Sequence, residues 1–442
     1  MTSLHTGDSG RQVDPPARAS ACSDLTSSLG LLPELDTKSG GPLQGVRVLD
    51  LSRIVAAPFA TMALGELGAT VIKVERAGTG DDCRAWGPPF VDGESAYFLS
   101  VNRNKRGMTI DFATEEGRSV VRQLALEWAD VVVENFKDGT LEGWGLDLAD
   151  LRRSNSRLVT ASVRGYPEGD SRPGYDFITQ ASSGLMSLNG PVDGEFYKVG
   201  IPIADLSSGL YLLSGILAAL WHRQQTGSGQ HVSVSLWESQ VSLLVNANQA
   251  YLVSHQAPRR MGNAHPQVAP YEVYRTKDAP VAIAGGNQAQ FVRIAESLGH
   301  PEWVEDPAFA SNADRVTNRT ELAARIEAVL ATRERDDVLA MLTAAGVPCG
   351  PLRTVDEVLN SPEAEASGIV AAVTHELLGE VPVVRLPWRF SDTPAEPRFG
   401  PPTLGQDTEA ILSALAEVGV HAGGRSQSER DGVLAPDTEH RT

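Results

Sequence analysis

One aspartate in this chain stands where a carboxylate could act as a nucleophile. In VGIPIADLSSGLYLLSGILAALWHRQQTG an apolar approach delivers Asp205 directly before a helical stretch that ends near Gly227. A carboxylate placed there is held rigid, and the positive end of the helix stabilises its anion. The same position also reads simply as a helix N-cap, and spacing alone leaves both readings open. A second group of residues could hold an anion. The stretches ERAGTGDDCRAWGPPF and SVNRNKRGMTIDF place Arg76, Arg84, Arg103, Lys105 and Arg106 on loops around strand ends. Loops at the carboxyl ends of parallel strands bind ligands, so a phosphate-bearing ligand is expected there; solvated surface charge is the plainer alternative. Other chemistries leave no trace: the chain has no Walker lysine motif, no HExxH, no GxSxG and no CxxC.

The elements that must position these residues alternate in type. VRVLDL (Val46 to Leu51) is a β-branched run, an Ala- and Leu-rich helical stretch follows to Leu67, and TVIKVE (Thr70 to Glu75) closes a β-α-β unit. The pattern repeats with TIDF (Thr109 to Phe112), a helix from about Glu115 to Trp128, VVVENF (Val131 to Phe136) and RLVTASV (Arg157 to Val163). Such alternation predicts an α/β fold with a doubly wound, mostly parallel sheet, Rossmann-like in its large domain. Glu75 at the end of the second strand invites a dinucleotide reading, but SRIVAAPFA carries Pro58 where close-approach glycines would be needed. A smaller α+β second domain is expected over 241–370, with a helix near Asn318 to Leu330 whose Asn318 and Glu321 have capping-box spacing. The large domain spans 44–240, and the strand-like VPVVRLP (Val381 to Pro387) lies in a return to it over 371–415. Residues 1–43 read as a disordered arm and 416–442 as a loose tail.

Composition narrows the partners. With 442 residues, 41% hydrophobic and 21% charged, the chain is long enough for two or three globular units at roughly 150 residues each. A formal charge of -18 repels polyanions, so nucleic acid and anionic membranes are poor partners, and a basic pocket against this background carries information. The apolar stretch Leu206 to Trp221 falls short of the roughly 20 residues a bilayer needs and reads as a buried helix. Cys22, Cys83 and Cys349 are too few and scattered for a disulfide framework, which favours a reducing compartment. The arm holds Asp8, Asp14, Asp24, Glu34 and Asp36 against Arg11, Arg18 and Lys38, unlike a mitochondrial presequence, so a cytoplasmic location is expected.

From about Gly45 to Gln406 the chain resembles the family III CoA-transferases of the CaiB/BaiF type. The resemblance is carried by GVRVLDLSRIVAAPFATMALGELGATVIKVE, NRNKRGMTIDF, ADVVVENF, RPGYDFITQASSGLM, PIADLSSGLY, TGSGQHVSVSLWES and GVPCGPL, in family order. It implies Asp205 as the nucleophile that carries CoA as an aspartyl thioester. It also implies CoA contacts at Arg76, at Ile110, Asp111 and Phe112, at Asn135, Phe136 and Lys137, and at Asp176 of the RPGYDF motif. Ala113 and Gly143 stand where some members place a basic CoA contact, which leaves the phosphates to Arg103, Lys105, Arg106 or Lys137. The resemblance further implies an interlocked homodimer, CoA thioesters as substrates, and no metal or tightly bound cofactor. Two rivals share the fold. An α-methylacyl-CoA racemase has a His-Asp pair where Tyr175 and Asp176 stand, and a phenol is a poor base at neutral pH. A CoA-binding protein without turnover is the second.

The stretches GDDCRAWGPPFV, SVNRNK and RRMGNAHPQVAPYEVYRTKD resemble the succinyl-CoA:glutarate branch of that family. This implies succinyl-CoA or a similar dicarboxyl-CoA as donor and a C4 to C6 dicarboxylic acid as acceptor. The distal carboxylate of such an acid needs a cation or several donors once buried. Arg53, Arg103, Arg260 and His265 are the candidates, with solvated linker charge as the alternative for Arg259 and Arg260. No aromatic cluster near these positions suggests a cage for the quaternary ammonium of carnitine.

Overall fold

Val48 and Leu49 are neighbours in sequence and both are fully buried, yet they belong to different hydrophobic cores. Side chains alternate across a strand, so this strand is covered on both faces. The computed structural model describes residues 40–416 and builds a six-stranded parallel sheet. Its strands are β1 (Arg47–Asp50), β2 (Thr70–Arg76), β3 (Arg106–Ile110), β4 (Val131–Glu134), β5 (Val159–Arg164) and β6 (His231–Ser235). They lie in the order β3-β2-β1-β4-β5-β6, so the order reverses between β1 and β4 and the loops after those two strands diverge to leave a crevice. Helix α1 (Ala56–Glu66) and helix α4 (Ile203–Thr226) cover one face; α2 (Glu115–Gln123) lies on the other, and α3 (Asp176–Ser182) leads into the region before α4.

Local sequence explains how α1 and α4 meet. Pro58 sits in the first turn of α1, where a missing N–H is harmless, and Ala60 and Ala63 present a flat buried face. A Cβ on Gly209 would lie 2.6 Å from the Ala56 carbonyl oxygen, so only glycine lets α4 cross the start of α1 this closely. That crossing brings the first turns of both helices together. By length and composition α4, with 24 residues, could cross a membrane, but Leu212, Leu213 and Ile216 are buried in the core beneath it.

Several expectations shift. The third strand runs Arg106–Ile110 rather than Thr109 to Phe112, and the TGSGQHVSVSLWES segment holds a whole strand, β6, parallel to β5. The Asn318–Glu321 box does not form, because the Asn318 amide donates to the Ala308 and Asp314 carbonyls at 3.0 and 3.1 Å. Capping boxes form instead at Ser311 with Asp314 and at Thr354 with Glu357. A further core lies between the antiparallel strands β7 (Tyr271–Tyr274), β8 (Val281–Ala284) and β9 (Cys349–Pro351) and helices carrying Phe291, Ile326 and Leu342. Among the described residues strands β10 (Val370–His375) and β11 (Gly379–Val384) pair only with each other, so VPVVRLP adds no strand to the main sheet. The return is made by the chain after them. The Leu386 N–H donates to Glu66, Asp407 accepts from the Gly107 N–H, and Ile411 enters the core. Residues 40–43 of the expected arm are tied down by the Leu43 N–H on the Leu67 carbonyl at 2.9 Å, while 1–39 and 417–442 lie outside the described residues.

Candidate active site

The loop after β1 has its backbone polar groups taken up by side chains from four other places. Asp50 accepts from the Ser52 N–H at 2.9 Å and from the Ser52 hydroxyl. Lys73 donates to the Ser52 carbonyl at 2.8 Å. Asn135 accepts from the Arg53 N–H at 2.8 Å and donates to the Arg53 carbonyl at 2.7 Å. Asp81 accepts from the Ile54 N–H at 3.0 Å, holding this β-branched residue at a left-handed φ of 72°. A non-glycine residue in that region is strained, and here the surrounding bonds over-determine it. The result is a fixed rim, Arg53 to Ala56, on one side of a cleft of about 330 Å³.

Beneath the rim lies a buried ionic network. Lys105 donates to Asp50, the Pro58 carbonyl and Asn102 at 3.0, 2.9 and 2.8 Å, and Lys73 pairs with Asp81 at 2.9 Å. Burial works to raise the Asp50 carboxyl, but Lys105 and Lys73 outweigh it and hold it down at about 2. Burial lowers Lys105 to about 8, against the pull of Asp50. Arg103 is buried on Glu66, with its Nε at 2.9 Å, and Arg106 pairs with Asp407 at 3.2 Å. The sequence places these three cations on a phosphate-binding loop. The structure instead spends them on carboxylates that lie 37, 55 and 301 residues away in sequence. Glu75, at the position of a dinucleotide-binding acid, holds Arg84 through two bonds at 2.8 and 2.7 Å.

The other wall of the cleft comes from the ends of β4 and β5 and from α4. It carries Phe136 and Lys137, then Arg164, the segment 170–175, and Asp205. Gly165 and Gly174 touch backbone to backbone, since a Cβ on Gly165 would lie 2.5 Å from the Gly174 Cα, and this folds 170–175 over the strand end. A side pocket of about 40 Å³ shares Arg53 and Phe136 with the cleft and is lined by Arg76, Phe112 and Trp144. Phe112 stacks on Trp144 at 4.6 Å, and Phe136 meets the same ring edge-on at 5.2 Å. Among the described residues the Arg76 and Lys137 side chains have no ion pair or hydrogen-bond partner, whereas Arg53 leans on Asp82 at 3.0 Å. Ile110 is buried in the core and Asp111 caps its own turn through the Ala113 N–H, so neither side chain lines the cleft. Arg260 donates to the Pro191 and Gly194 carbonyls at 3.0 and 2.8 Å, and His265 accepts from the Gln267 N–H. Arg260 is thus tied to the 191–194 segment and His265 to its own turn, and neither lines the cleft.

Asp205 sits inside the first turn of α4, whose N-cap is Pro202. It is not the cap. Asp176 does that work, accepting the Ala204 N–H at 2.7 Å on one oxygen and the Gln180 amide at 2.7 Å on the other. Among the described residues nothing donates to the Asp205 carboxylate, which is 9% exposed. Burial, and then the negative charge of Asp176, push its carboxyl up to about 7. An anion that is little solvated and little hydrogen-bonded retains its nucleophilicity, which suits attack on an electrophilic carbonyl brought along the cleft. Among the described residues no three His, Cys, Asp or Glu side chains gather as a metal site. Sequence reasoning missed Arg164 and Trp144. The first ends a parallel strand and was findable from that rule; the second has no local signal.

Comparisons with known proteins give the family. Residues 43–408 match the family described as CoA-transferase family III. The chain belongs to the family III CoA-transferases. It is an enzyme that moves CoA between an acyl-CoA and a carboxylate. Succinyl-CoA:glutarate CoA-transferase of Mus musculus is 39% identical over 87% of this chain and 88% of that protein. Succinate--glutarate CoA-transferase of Agrobacterium fabrum is also 39% identical, over 85% and 96%. The crystal structure of a CAIB/BAIF family protein from Brucella suis matches with a TM-score of 0.76 at 42% identity, covering 85% of this chain and 99% of that one. In this family III CoA-transferase the crevice at the switch point of the sheet carries Arg76, Lys137 and an aromatic wall at one end and the Asp205 carboxylate at the other.

Proposed function

We propose that this CoA-transferase takes CoA from succinyl-CoA or a similar dicarboxyl-CoA and passes it to a C4 to C6 dicarboxylic acid, through an aspartyl-CoA thioester on Asp205. The observation that carries the reading is the buried Asp205 carboxylate, without a donor among the described residues, at the end of a cation-lined cleft. An Asp205 oxygen attacks the thioester carbonyl, the C–S bond breaks, and CoA leaves as thiolate from a mixed anhydride. The thiolate then attacks the aspartyl carbonyl, releasing the first acid and leaving CoA on Asp205. The acceptor carboxylate attacks that thioester to form a second anhydride, and the returning thiolate takes the new acyl group and frees Asp205.

Arg76 and Lys137 supply charge for the CoA phosphates, and Phe112, Phe136 and Trp144 supply an apolar wall for the adenine. Asn135 acts through the Arg53 backbone it clamps, and Asp176 through the helix start it caps. A racemase reading loses support because Tyr175 is exposed and Asp176 is committed to that cap, leaving no pair of bases around an acyl α-carbon. The active form is a homodimer, supported by the apolar surface of Phe177, Ile178, Phe196, Val245 and Val253 on the segment around α3 and α4. A reducing, cytoplasmic setting is favoured by free Cys83 and Cys349. Incubation with succinyl-CoA and glutarate, followed by mass detection of glutaryl-CoA and of CoA mass on an Asp205 peptide, tests the reading. No adduct on that peptide during turnover would rule out the covalent route.

A further inference from the structure

Across Val55 from the cation-lined cleft lies a second cavity, of about 330 Å³, and Val55 forms a wall of both. Phe59, Met62, Val101, Ile201 and Leu206 give it an apolar surface. It adjoins the nucleophile. Pro202 and Leu206 flank Asp205 in the first turn of α4, and both line the cavity. Tyr97 lines it too, and its phenol is pushed up to about 12 by burial and then by the charges of Asp205, Cys83 and Asp176. The charged residues in its wall are Arg103 and Arg385, and no carboxylate joins them.

The two arginines differ. Arg103 is neutralised by Glu66. Arg385, half-buried, has no carboxylate partner among the described residues. Its Nε is buried without an acceptor, and its side chain makes a single long hydrogen bond, from Nη2 to the Ala395 carbonyl at 3.4 Å. The backbone holds it firmly in place, since its own N–H binds the Ile369 carbonyl at 2.8 Å and the next N–H, of Leu386, binds Glu66 at 2.8 Å. A half-buried guanidinium beside apolar walls without an anion is under-satisfied, and a carboxylate would meet its planar fork in a two-bond contact.

We propose that this cavity receives the hydrocarbon chain of the dicarboxylic acid and that Arg385 binds its distal carboxylate. The proposal rests on the reading that Asp205 passes CoA between dicarboxylic acids. In that reaction the proximal carboxylate reaches Asp205 while CoA occupies the cation-lined cleft, and the rest of the acid extends past Val55 on the cavity side. The apolar walls suit a short run of methylene groups, and the arginine suits the carboxylate at their far end. A monocarboxylic acid of the same length would leave Arg385 as it is now.

The test compares kcat/KM for glutarate with that for valerate, using one donor, in the wild-type protein, Arg385→Gln and Arg385→Lys. Loss of a buried charge contact predicts that the glutarate-to-valerate ratio falls roughly 30-fold or more in the Gln variant, with substantial recovery in the Lys variant. A ratio that stays at the wild-type value in both folded variants overturns the assignment, and a loss of dimer in Arg385→Gln at an unaltered ratio makes the cavity a subunit contact instead. Ser100→Trp, at an exposed position in the cavity wall, is a second probe that leaves the core alone. It should shift preference from adipate towards succinate by about tenfold, and an unmoved length preference would also count against the cavity. A wild-type protein that turns over no dicarboxylic acid defeats the functional reading itself. One that turns them over while the variants behave like it defeats only this inference.

Discussion

Asp50 and Asp205 are both buried carboxylates beside the same rim, yet one is held down at about 2 and the other pushed up to about 7. Burial alone would raise both. The difference is in their neighbours: Asp50 faces two lysines and two hydroxyls, while Asp205 faces another carboxylate. The first arrangement ties elements together, because one Asp50 oxygen accepts from Ser52 of the loop and the other from Thr61 of α1 and from Lys105. The second keeps a reactive oxygen available. One ends a strand and the other sits in the first turn of a helix, and cation placement is what separates their charge states.

The largest effect should come from removing the second member. Asp205→Ala is expected to lower kcat for transfer by about four orders of magnitude or more while thermal unfolding changes little, measured by product formation and by calorimetry. Retention of transfer would put the chemistry elsewhere. Removing a cation from the first group should do the reverse. Lys105→Met leaves Asp50 buried without its nearest charge and is expected to destabilise by about 3 to 5 kcal/mol in denaturant titration, with residual activity in the molecules that stay folded.

The pH dependence should also divide them. Asp50 binds its proton more weakly folded than unfolded, so it contributes about 2 kcal/mol of stability above pH 4 that is lost as pH falls from about 4 to 2. Asp205 binds its proton more tightly when folded, so its contribution to stability declines as pH rises from about 4 to 7. The proposed mechanism uses its anion, so activity should rise through about pH 7 to a plateau. In Asp176→Asn a negative neighbour is gone, so the inflection in kcat/KM should move to lower pH; an upward move or no move would detach Asp176 from the nucleophile.

Smaller effects belong to the CoA end of the cleft. Arg76→Ala should raise KM for the CoA ester about tenfold with a smaller change in kcat, and the difference should shrink in high salt. Gly143 has open space where a side chain would project, so Gly143→Arg should fold normally and lower that KM by about two- to threefold through an added exposed charge. A rise in KM would show that the phosphates lie elsewhere.

Much of the scaffold is legible from local pattern. β-branched runs and intervening amphipathic stretches locate five of the six strands, because strand and helix periods are properties of neighbouring residues. HVSVS is not among the expected strands although its strict alternation is a strand signal, because it is short and follows directly on the turn-forming Gly and Ser of TGSGQ. Asp205 is legible as a residue at a helix start, and its family motif names it.

What the sequence could not settle was the state of each charge. Arg103, Lys105 and Arg106 look like one basic loop when read along the chain, and each is turned inward to a different carboxylate, Glu66, Asp50 and Asp407. Asp176 reads as a CoA contact beside a tyrosine, and the fold makes it the cap of the helix that carries Asp205. Residue order along the chain determined the sheet, the helices and which carboxylate stands at the start of α4. Tertiary structure alone decided which charges are neutralised and which remain available, because Coulomb energy depends on distance in space and on burial, and neither is written in the spacing of residues along a chain.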